Sequence, residues 1–563
     1  MYILGISAYY HDSAAALLKN GKLLSAVEEE RFTRIKHDNQ FPLKAIRFCL
    51  EKEGITGQEI DYITYYEKPL LKFERILETF VETYPFSLKP FLKGIPEWIN
   101  EKIKVEGKIR STLKYKGKIF FVPHHLSHAA ATFLTSPYNE AAILSLDGVG
   151  EYQTTGLWRG QVNEIRPIKS LNFPHSLGLL YSAFTAFLGF KVNEDEYKLM
   201  GLAAYGKPNY ISDIYKLIDV KNDGSFAMNM SFFSYREGFQ MWSKKFEAIF
   251  GPVRKPNESF NKRHKDLASS LQTVTEDLYF SILKNLHKLT KLKAVCISGG
   301  VGLNALANGK IYKNTPFKNV YVFGAAGDSG GAIGSALYAH NSLLKIRSRS
   351  QINTLYSGSS FSNEEIEYVL SRYKLKYKKI EDKDKLINIT AGLLAKNKIV
   401  GWFQGRCEFG PRALGNRSIL AKPNPKEMKA KVNIIKRREQ FRPFAGSILQ
   451  EKVHEYFDVP EKNHWSPFMV FCFQVKKSKR QVLAAIVHKD NTCRIQTVSK
   501  ENGLYYELIK KFYESTGIAC VLNTSFNLKG EPIVEKPEQA FTDFLKTEMD
   551  YLVIGNYFIS KAK

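Results

Sequence analysis

Two imidazoles four positions apart, His124 and His128, stand ahead of a strand-like AAILSLD that ends in Asp147. If Pro123 opens a helix here, residues i and i+4 share one face a single turn apart and both rings reach one ion, while His125 points elsewhere. Asp328, in the turn GDSGG, is a second carboxylate carried by a loop after a strand. Two histidines with two carboxylates suit a divalent ion such as iron(II), manganese or zinc. Two surface or core histidines are the competing reading of the HxxxH spacing, and the loop-borne carboxylates move the balance toward a metal site. His11 and Asp12, in the polar loop AYYHDS, offer different chemistry: an imidazole near neutral pKa takes a proton from a hydroxyl while the neighbouring carboxylate orients it.

A second group of reactive residues lies toward the C-terminus. QGRCEFGPRALGNRSILAKP (404–423) gathers Arg406, Arg412 and Arg417 around glycines, and KRREQFRPFA (436–445) adds Lys436 and Arg442. HKDNTCRIQTV (488–498) contributes Arg494, and VLNTSFNLKGEPIV (521–534) sets Asn523, Thr524 and Ser525 after a buried strand. Residues 406–442 hold eleven Lys/Arg against three acids, interleaved with Gly and Pro. A loop-rich basic segment of this kind closes around phosphate oxygens through bidentate arginine bonds, so a pocket for a di-anion and a nucleotide is expected. No GxSxG elbow, Walker P-loop or kinase signature is present, which weighs against hydrolase and P-loop chemistry.

Strands must carry these loops. YILGIS, a polar loop, AAALLKNGKLL with a turn signal at Asn20-Gly21, and SAVEEER read as a strand-loop-hairpin unit. AAILSLDGVG through TTGLWRGQVNEI reads the same way, so a duplicated α/β core with a cleft between its halves is expected. KLKAVCISGGVGLNALANGKIY (291–312) and NVYVFGAAGDSGGAIGSALYAH (319–340) each place a buried strand, a glycine turn and a helix in series. Residues 341–360 lose apolar periodicity, which puts a domain boundary there: 1–345, a linker over 346–360, and 361–563. Helix-like NEEIEYVLSRY and the strand IVGWFQ follow.

Hydrophobic residues make up 44% and charged residues 25%, which places the chain among soluble globular proteins. No apolar run approaches a membrane span, and His11 and Asp12 interrupt what a signal peptide would need, so a cytoplasmic protein is expected. Six scattered cysteines without a CxxC pair suggest reduced, buried thiols. The net charge of +26 favours anionic partners without choosing among phosphates, nucleotides, RNA or an acidic membrane.

Taken together, HDSAA (11–15), EEERFTRIKHD (28–38), HHLSHAA (124–130), LDGVGE (146–151), NEDEYKLMGLAAYG (193–206), SGGVGLN (298–304), GDSGGAIG (327–334), GRCEFGPRALGNRSILA (405–421), FRPFA (441–445) and NTSFNLKGEPIV (523–534) resemble, in one order, the NodU/CmcH-type O-carbamoyltransferases. Members of that family carbamoylate hydroxyls of antibiotics and nodulation factors. The resemblance implies a duplicated actin-like ATPase (ASKHA) fold in the N-terminal domain, related to the tRNA threonylcarbamoyladenosine transferase subunit, and a YrdC-like α/β domain after it. It implies that His124, His128, Asp147 and Asp328 hold the metal, with iron(II) the expected ion. His11, helped by Asp12, would deprotonate the acceptor. Lys36, Gly148, Gly299, Gly300 and Asn304 would bind nucleotide in the first domain. Arg412, Lys436, Arg442, Arg494, Asn523, Thr524 and Ser525 would bind carbamoyl phosphate and ATP, with Mg2+ on the ATP, in the second. The implied intermediate is carbamoyl adenylate, kept from bulk water in an enclosed passage.

Two departures stand out: HKDNTC replaces the family's HVDGT pattern at Lys489 and Asn491, and Tyr197 stands where many relatives carry glycine. The expected partners are ATP, carbamoyl phosphate and a hydroxyl of a small molecule or glycan, with no DNA and no membrane span; the base rate favours a homodimer. Alternatives are a tRNA threonylcarbamoyl transferase-like enzyme, encouraged by the charge, and a non-catalytic nucleotide-binding protein. Residues 65–118 and 207–264, aromatic and basic, are expected to shape the acceptor pocket or its lid.

Overall fold

The apolar runs at the N-terminus form β1 (Tyr2–Ser7), β2 (Ala14–Lys19) and β3 (Lys22–Glu28). Asn20 and Gly21 turn the β2–β3 hairpin with φ of 50° and 77°, the left-handed pair that a tight hairpin needs. β4 (Tyr62–Tyr65) and β5 (Lys118–Phe121) complete a five-stranded sheet in the order β3-β2-β1-β4-β5, with β4 parallel to β1 and β5 parallel to β4. The arrangement recurs. β6 (Glu140–Leu146), β7 (Gln153–Gln161) and β8 (Glu164–Asn172) form an antiparallel meander, and after a small hairpin, β9 (Ile218–Val220) and β10 (Phe226–Met228), the strands β11 (Ala294–Ser298) and β12 (Asn319–Val322) join it in parallel. Its order is β12-β11-β6-β7-β8. Counting strands within each half, both sheets read 3-2-1-4-5, a meander of three followed by two parallel strands, which is the duplicated sheet of the actin-like ATPase fold.

Helix Gly330–Tyr338 packs on β1, β2 and β4, helix His124–Phe133 packs on β6 and β11, and the two helices lie against each other between the sheets. Both are rich in Ala and buried along nearly their whole length, so close packing rather than a polar face sets their position.

The computed structural model describes residues 1–373 and 376–561. The chain divides into two units, Met1–Ser25, Asn39–Ala307 and Ile311–Gln351 in the first, and Ala26–Asp38, Asn308–Lys310 and Ile352–Lys563 in the second. The second is built on a nine-stranded mixed sheet. Its strands are β13 (Tyr377–Lys379), β14 (Val400–Phe403), β15 (Arg417–Ala421), β16 (Ala445–Leu449), β17 (Phe471–Gln474), β18 (Thr492–Val498), β19 (Cys520–Ser525), β20 (Tyr551–Ile554) and β21 (Tyr557–Ser560). They lie in the order β13-β21-β20-β14-β15-β19-β16-β18-β17.

Segment 26–38 begins on the last residues of β3 and belongs to the second unit. Arg31, 1% exposed, donates to the Gly410 carbonyl at 2.8 Å, and Arg34 donates to the carbonyls of Ile533 (2.7 Å) and Pro532 (2.8 Å). Lys36, expected among the nucleotide ligands of the first domain, is therefore carried by a segment of the second unit, because these arginines find their acceptors there. Within 346–360, Arg349 donates to the Phe133, Tyr138 and Val162 carbonyls of the first unit, whereas Ser357 donates to the Ala26 carbonyl of the second. All six cysteines are buried free thiols. Among the described residues no helix is long and apolar enough to cross a membrane.

Candidate functional site

The helix begins at His124 directly after Pro123, so both imidazoles emerge from its first turns on one side. β6 ends at Leu146, and Asp147 projects from its carboxyl end; Asp328 sits in the turn between β12 and helix Gly330–Tyr338. Parallel β6, β11 and β12 present their carboxyl ends together, the place where open α/β sheets hold ligands. His124, His128, Asp147 and Asp328, all buried, each offer one donor atom, and the four atoms lie within 4.8 Å of one another.

His124 Nε2 is 2.9 Å from Asp147 Oδ2 and 3.8 Å from Asp328 Oδ1; His128 Nε2 is 3.5 Å from each of those oxygens and 3.1 Å from His124 Nε2. Donors bound at about 2.1 Å to one cation stand roughly 3.0 Å apart at right angles and roughly 3.4 Å apart in a tetrahedron. The observed spacings bracket those values. Asp328 is 0% exposed, and the nearest donors to its oxygens are the imidazoles of His128, His124 and His11, at 3.5, 3.8 and 3.9 Å. A buried carboxylate whose nearest donors stand this far off is costly unless a cation completes it, so the donor set fits a divalent metal. The charges agree in sign. Burial alone would lower the His128 pKa, yet the bonds and charges of Asp147 and Asp328 push it up to about 9. Against a desolvation that raises them, both aspartates are held below the usual carboxylate range, Asp147 chiefly by hydrogen bonds from His124 and His128 and Asp328 by the charges of His11 and His124.

His125 takes no part. Burial, then the neighbouring His124 charge, push it down to about 3, and its Nδ1 shares a 2.9 Å bond with Ser145 Oγ, which also accepts from Trp158 Nε1. His11 sits beside the cluster: its Nε2 is 3.9 Å from Asp328 Oδ2 and its Nδ1 2.9 Å from Asp12 Oδ2. Desolvation would lower its pKa, but Asp328 and then Asp12 raise it to about 10. The loop that bears it holds Tyr9 at φ 73° and Asp12 at φ 54°, left-handed conformations that non-glycine residues adopt at a cost and that cluster at functional sites.

The glycine turn after β11 serves the same cluster. Gly299 has φ 91°, and a Cβ there would lie 2.0 Å from the Leu146 carbonyl oxygen, so only glycine fits. Gly300 N–H then donates to Asp147 Oδ1 at 3.2 Å. Asn304 caps helix Ala305–Asn314 through Ala307 N–H and exchanges bonds with Gln272, while the Gly148 carbonyl accepts from Ser176 Oγ at 2.7 Å. Sequence reasoning missed Glu151. Its carboxylate accepts the backbone N–H of His124 at 3.0 Å and of Lys68 at 2.8 Å, satisfying the start of the histidine helix. The one signal was its place four residues after Asp147 in LDGVGE.

In the second unit, β18, β16 and β19 set Arg494, Ala445 and Asn523 in register, so their side chains share one face, with Ser525 two positions further along β19. Thr524 faces the other side, opposite Ile419, and so stands apart from Asn523 and Ser525. Lys436, 4% exposed, donates to Ser525 Oγ at 3.3 Å and Asn527 Oδ1 at 2.7 Å. Burial, then Arg438 and Arg442, hold its pKa well below the ordinary lysine range. Arg442 lies 3.6 Å from Glu439, and Arg412 is half-buried near Cys472, which pairs across the sheet with Arg494.

Two arginines of the basic segment serve the fold instead of an anion. Arg417, 0% exposed, donates to the Gln404, Asn416 and Ser359 carbonyls and stacks 3.6 Å over Phe403, and Arg406 donates to the Gly358 and Ser357 carbonyls. The segment is also less loop-like than its Gly and Pro content suggests, since β15 and helix Glu427–Ile435 lie within it. Asn491 has φ 64°, a conformation asparagine tolerates, and the loop closes with His488 N–H on the Thr492 carbonyl at 2.7 Å.

The sequence model of the carbamoyltransferase N-terminus matches residues 2–337, and that of the carbamoyltransferase C-terminus matches residues 391–561. The chain is 45% identical to the uncharacterized protein sll1178 of Synechocystis sp., over 100% of this chain and 97% of that one. It is 37% identical to nodulation protein NolNO of Sinorhizobium fredii, over 99% of this chain and 80% of the relative, and 35% identical to nodulation protein NolO of Bradyrhizobium diazoefficiens, over 78% of each. With both of its halves matched in order and relatives aligned along nearly its full length, the chain belongs to the carbamoyltransferase family and is an enzyme of that class.

Proposed function

We propose that the chain is an ATP-dependent O-carbamoyltransferase working in two half-reactions, one in each unit. In the second unit, water cleaves carbamoyl phosphate to carbamate and phosphate, and a carbamate oxygen attacks the α-phosphorus of ATP, expelling pyrophosphate and leaving carbamoyl adenylate. Arg412, Lys436, Arg442 and Arg494 hold the phosphates, Asn523 and Ser525 complete the carbamoyl phosphate and ATP site, and Mg2+ accompanies ATP. In the first unit, His124, His128, Asp147 and Asp328 would hold a divalent cation, iron(II) in our reading, which would supply positive charge for the adenylate's phosphate. The turn at Gly299 and Gly300, with Gly148 and Asn304, is where we place the nucleotide.

His11 takes the proton of the acceptor hydroxyl on Nε2 while Asp12 keeps Nδ1 protonated. The hydroxyl oxygen bonds to the carbamoyl carbon, and AMP departs. A cation beside Asp328 would offset the pull that otherwise holds the His11 ring at about 10, favouring the neutral form that acts as a base. The acceptor is a hydroxyl of a small molecule or glycan.

One observation carries this reading: four metal-type donors from three separate stretches converge, buried, beside a histidine-carboxylate pair. The test supplies ATP and carbamoyl phosphate to the full chain and measures AMP and pyrophosphate. Arg442→Ala should abolish their formation, whereas His11→Ala should retain it and lose only transfer to acceptor. Equal loss of the first half-reaction in both variants would contradict the two-site assignment.

A further inference from the structure

Asn523, 1% exposed, lies on the sheet face that also carries Arg494 and Ser525. Its Nδ2 points at three acceptors: the Ala413 carbonyl at 3.2 Å, Ser447 Oγ at 3.0 Å and Gln496 Oε1 at 3.3 Å. Gln496, 0% exposed, donates from Nε2 to the Leu414 carbonyl at 2.8 Å and accepts from Ser447 Oγ at 2.7 Å. A backbone carbonyl only accepts, so the carbonyls of Ala413 and Leu414 dictate which way each amide turns. Flipping either amide would set oxygen against oxygen. Asn523 Oδ1 is thereby turned away from Ser447 and Gln496, and none of the described residues donates to it. Native proteins seldom leave such an atom buried unless a ligand or water completes it.

That ligand needs an N–H or O–H donor held within reach of cationic groups. Arg494 stands one strand beyond Ala445, and Lys436 bonds to Ser525 on the same face. Carbamoyl phosphate carries a phosphate and, across one planar carbon, an amino group. Acetyl phosphate has nearly the same shape with a methyl in that place. We propose that Asn523 Oδ1 accepts a hydrogen bond from the amino group of carbamoyl phosphate, and that Gln496 is a positioning residue that locks this orientation and so makes the site select carbamoyl over acyl phosphates. The inference rests on the reading that the second unit activates carbamoyl phosphate, and it assigns to Gln496 a role that needs no contact with substrate.

The test uses the full chain, ATP and carbamoyl phosphate, with AMP release as the readout and acetyl phosphate as a competing inhibitor. In the wild type, acetyl phosphate should bind at least about tenfold more weakly than carbamoyl phosphate, as expected where a site hydrogen-bonds a group its analogue lacks. Gln496→Leu should raise KM for carbamoyl phosphate about tenfold while leaving the acetyl phosphate inhibition constant and the KM for ATP unchanged, so the discrimination collapses. Asn523→Ala should give the same collapse by removing the oxygen itself, and it decides the matter if Gln496→Leu does not fold. Discrimination unchanged in a folded variant, or wild type that binds the two phosphates equally, overturns the inference and leaves adenylate formation standing. A wild type that releases no AMP with carbamoyl phosphate overturns the reading of the unit, and the inference with it.

Discussion

Asp328 combines full burial with nearest donors, the nitrogens of His128, His124 and His11, that stand 3.5, 3.8 and 3.9 Å from its oxygens. On the proposed reading Asp328 is one of four ligands of the cation, so Asp328→Ala should lower affinity for a divalent cation by at least about a hundredfold, more than is typical for outer partners of metal sites. Metal content of the purified protein, measured by elemental mass spectrometry beside a His125→Ala control, checks it. The control should keep its metal, because His125 bonds Ser145. The four donors were legible from residue type, an i, i+4 spacing and strand-end position. Glu151 and Gln496 were not, since each acts through backbone groups distant in sequence: Glu151 through the N–H of Lys68, and Gln496 through the carbonyl of Leu414. Neither partner leaves a mark in the local sequence.

At the scale of elements, the histidine helix is only as well placed as its first turn. Glu151 accepts the His124 N–H and ties it to Lys68 at the start of helix Pro69–Thr83. Glu151→Ala leaves two N–H groups without acceptor, which costs about 2 kcal/mol and loosens His124, so stability and metal affinity should fall together. Glu151→Gln keeps an acceptor oxygen and should recover most of both, as read by thermal unfolding and metal titration. Gly299→Ala tests the opposite end of the site. Its Cβ would meet the Leu146 carbonyl oxygen at 2.0 Å with φ at 91°, a strain of about 2 kcal/mol or more that would also shift the Gly300 N–H off Asp147. The paired strand units and their glycine turns were readable because apolar runs and turn residues are local signals. The placement of segment 26–38 was hidden, because carbonyls of Gly410, Pro532 and Ile533 decide it.

Across the whole molecule, part of the dependence of stability on pH belongs to groups the chemistry does not use. A net charge of +26 favours anionic partners, so on the proposed reading the KM values for ATP and carbamoyl phosphate should rise with ionic strength, but it says little about folding. His464 says more. It is 3% exposed, with the rings of Phe471 and Phe473 edge-on at 6.1 Å and 5.0 Å, and burial pushes its pKa from the ordinary 6.5 down to about 4. Between those values the unfolded chain takes up a proton that the folded chain refuses. Its contribution is therefore complete above pH 6.5 and is lost as pH falls through 4. By pH 5 the wild type should have lost about 2 kcal/mol that His464→Phe does not lose, a difference that cancels every other titrating group shared by the two proteins. Urea unfolding of both at pH 8 and pH 5 measures it. Parallel loss in the two proteins would mean that His464 is protonated in the folded state, and that the acid limb belongs to other groups.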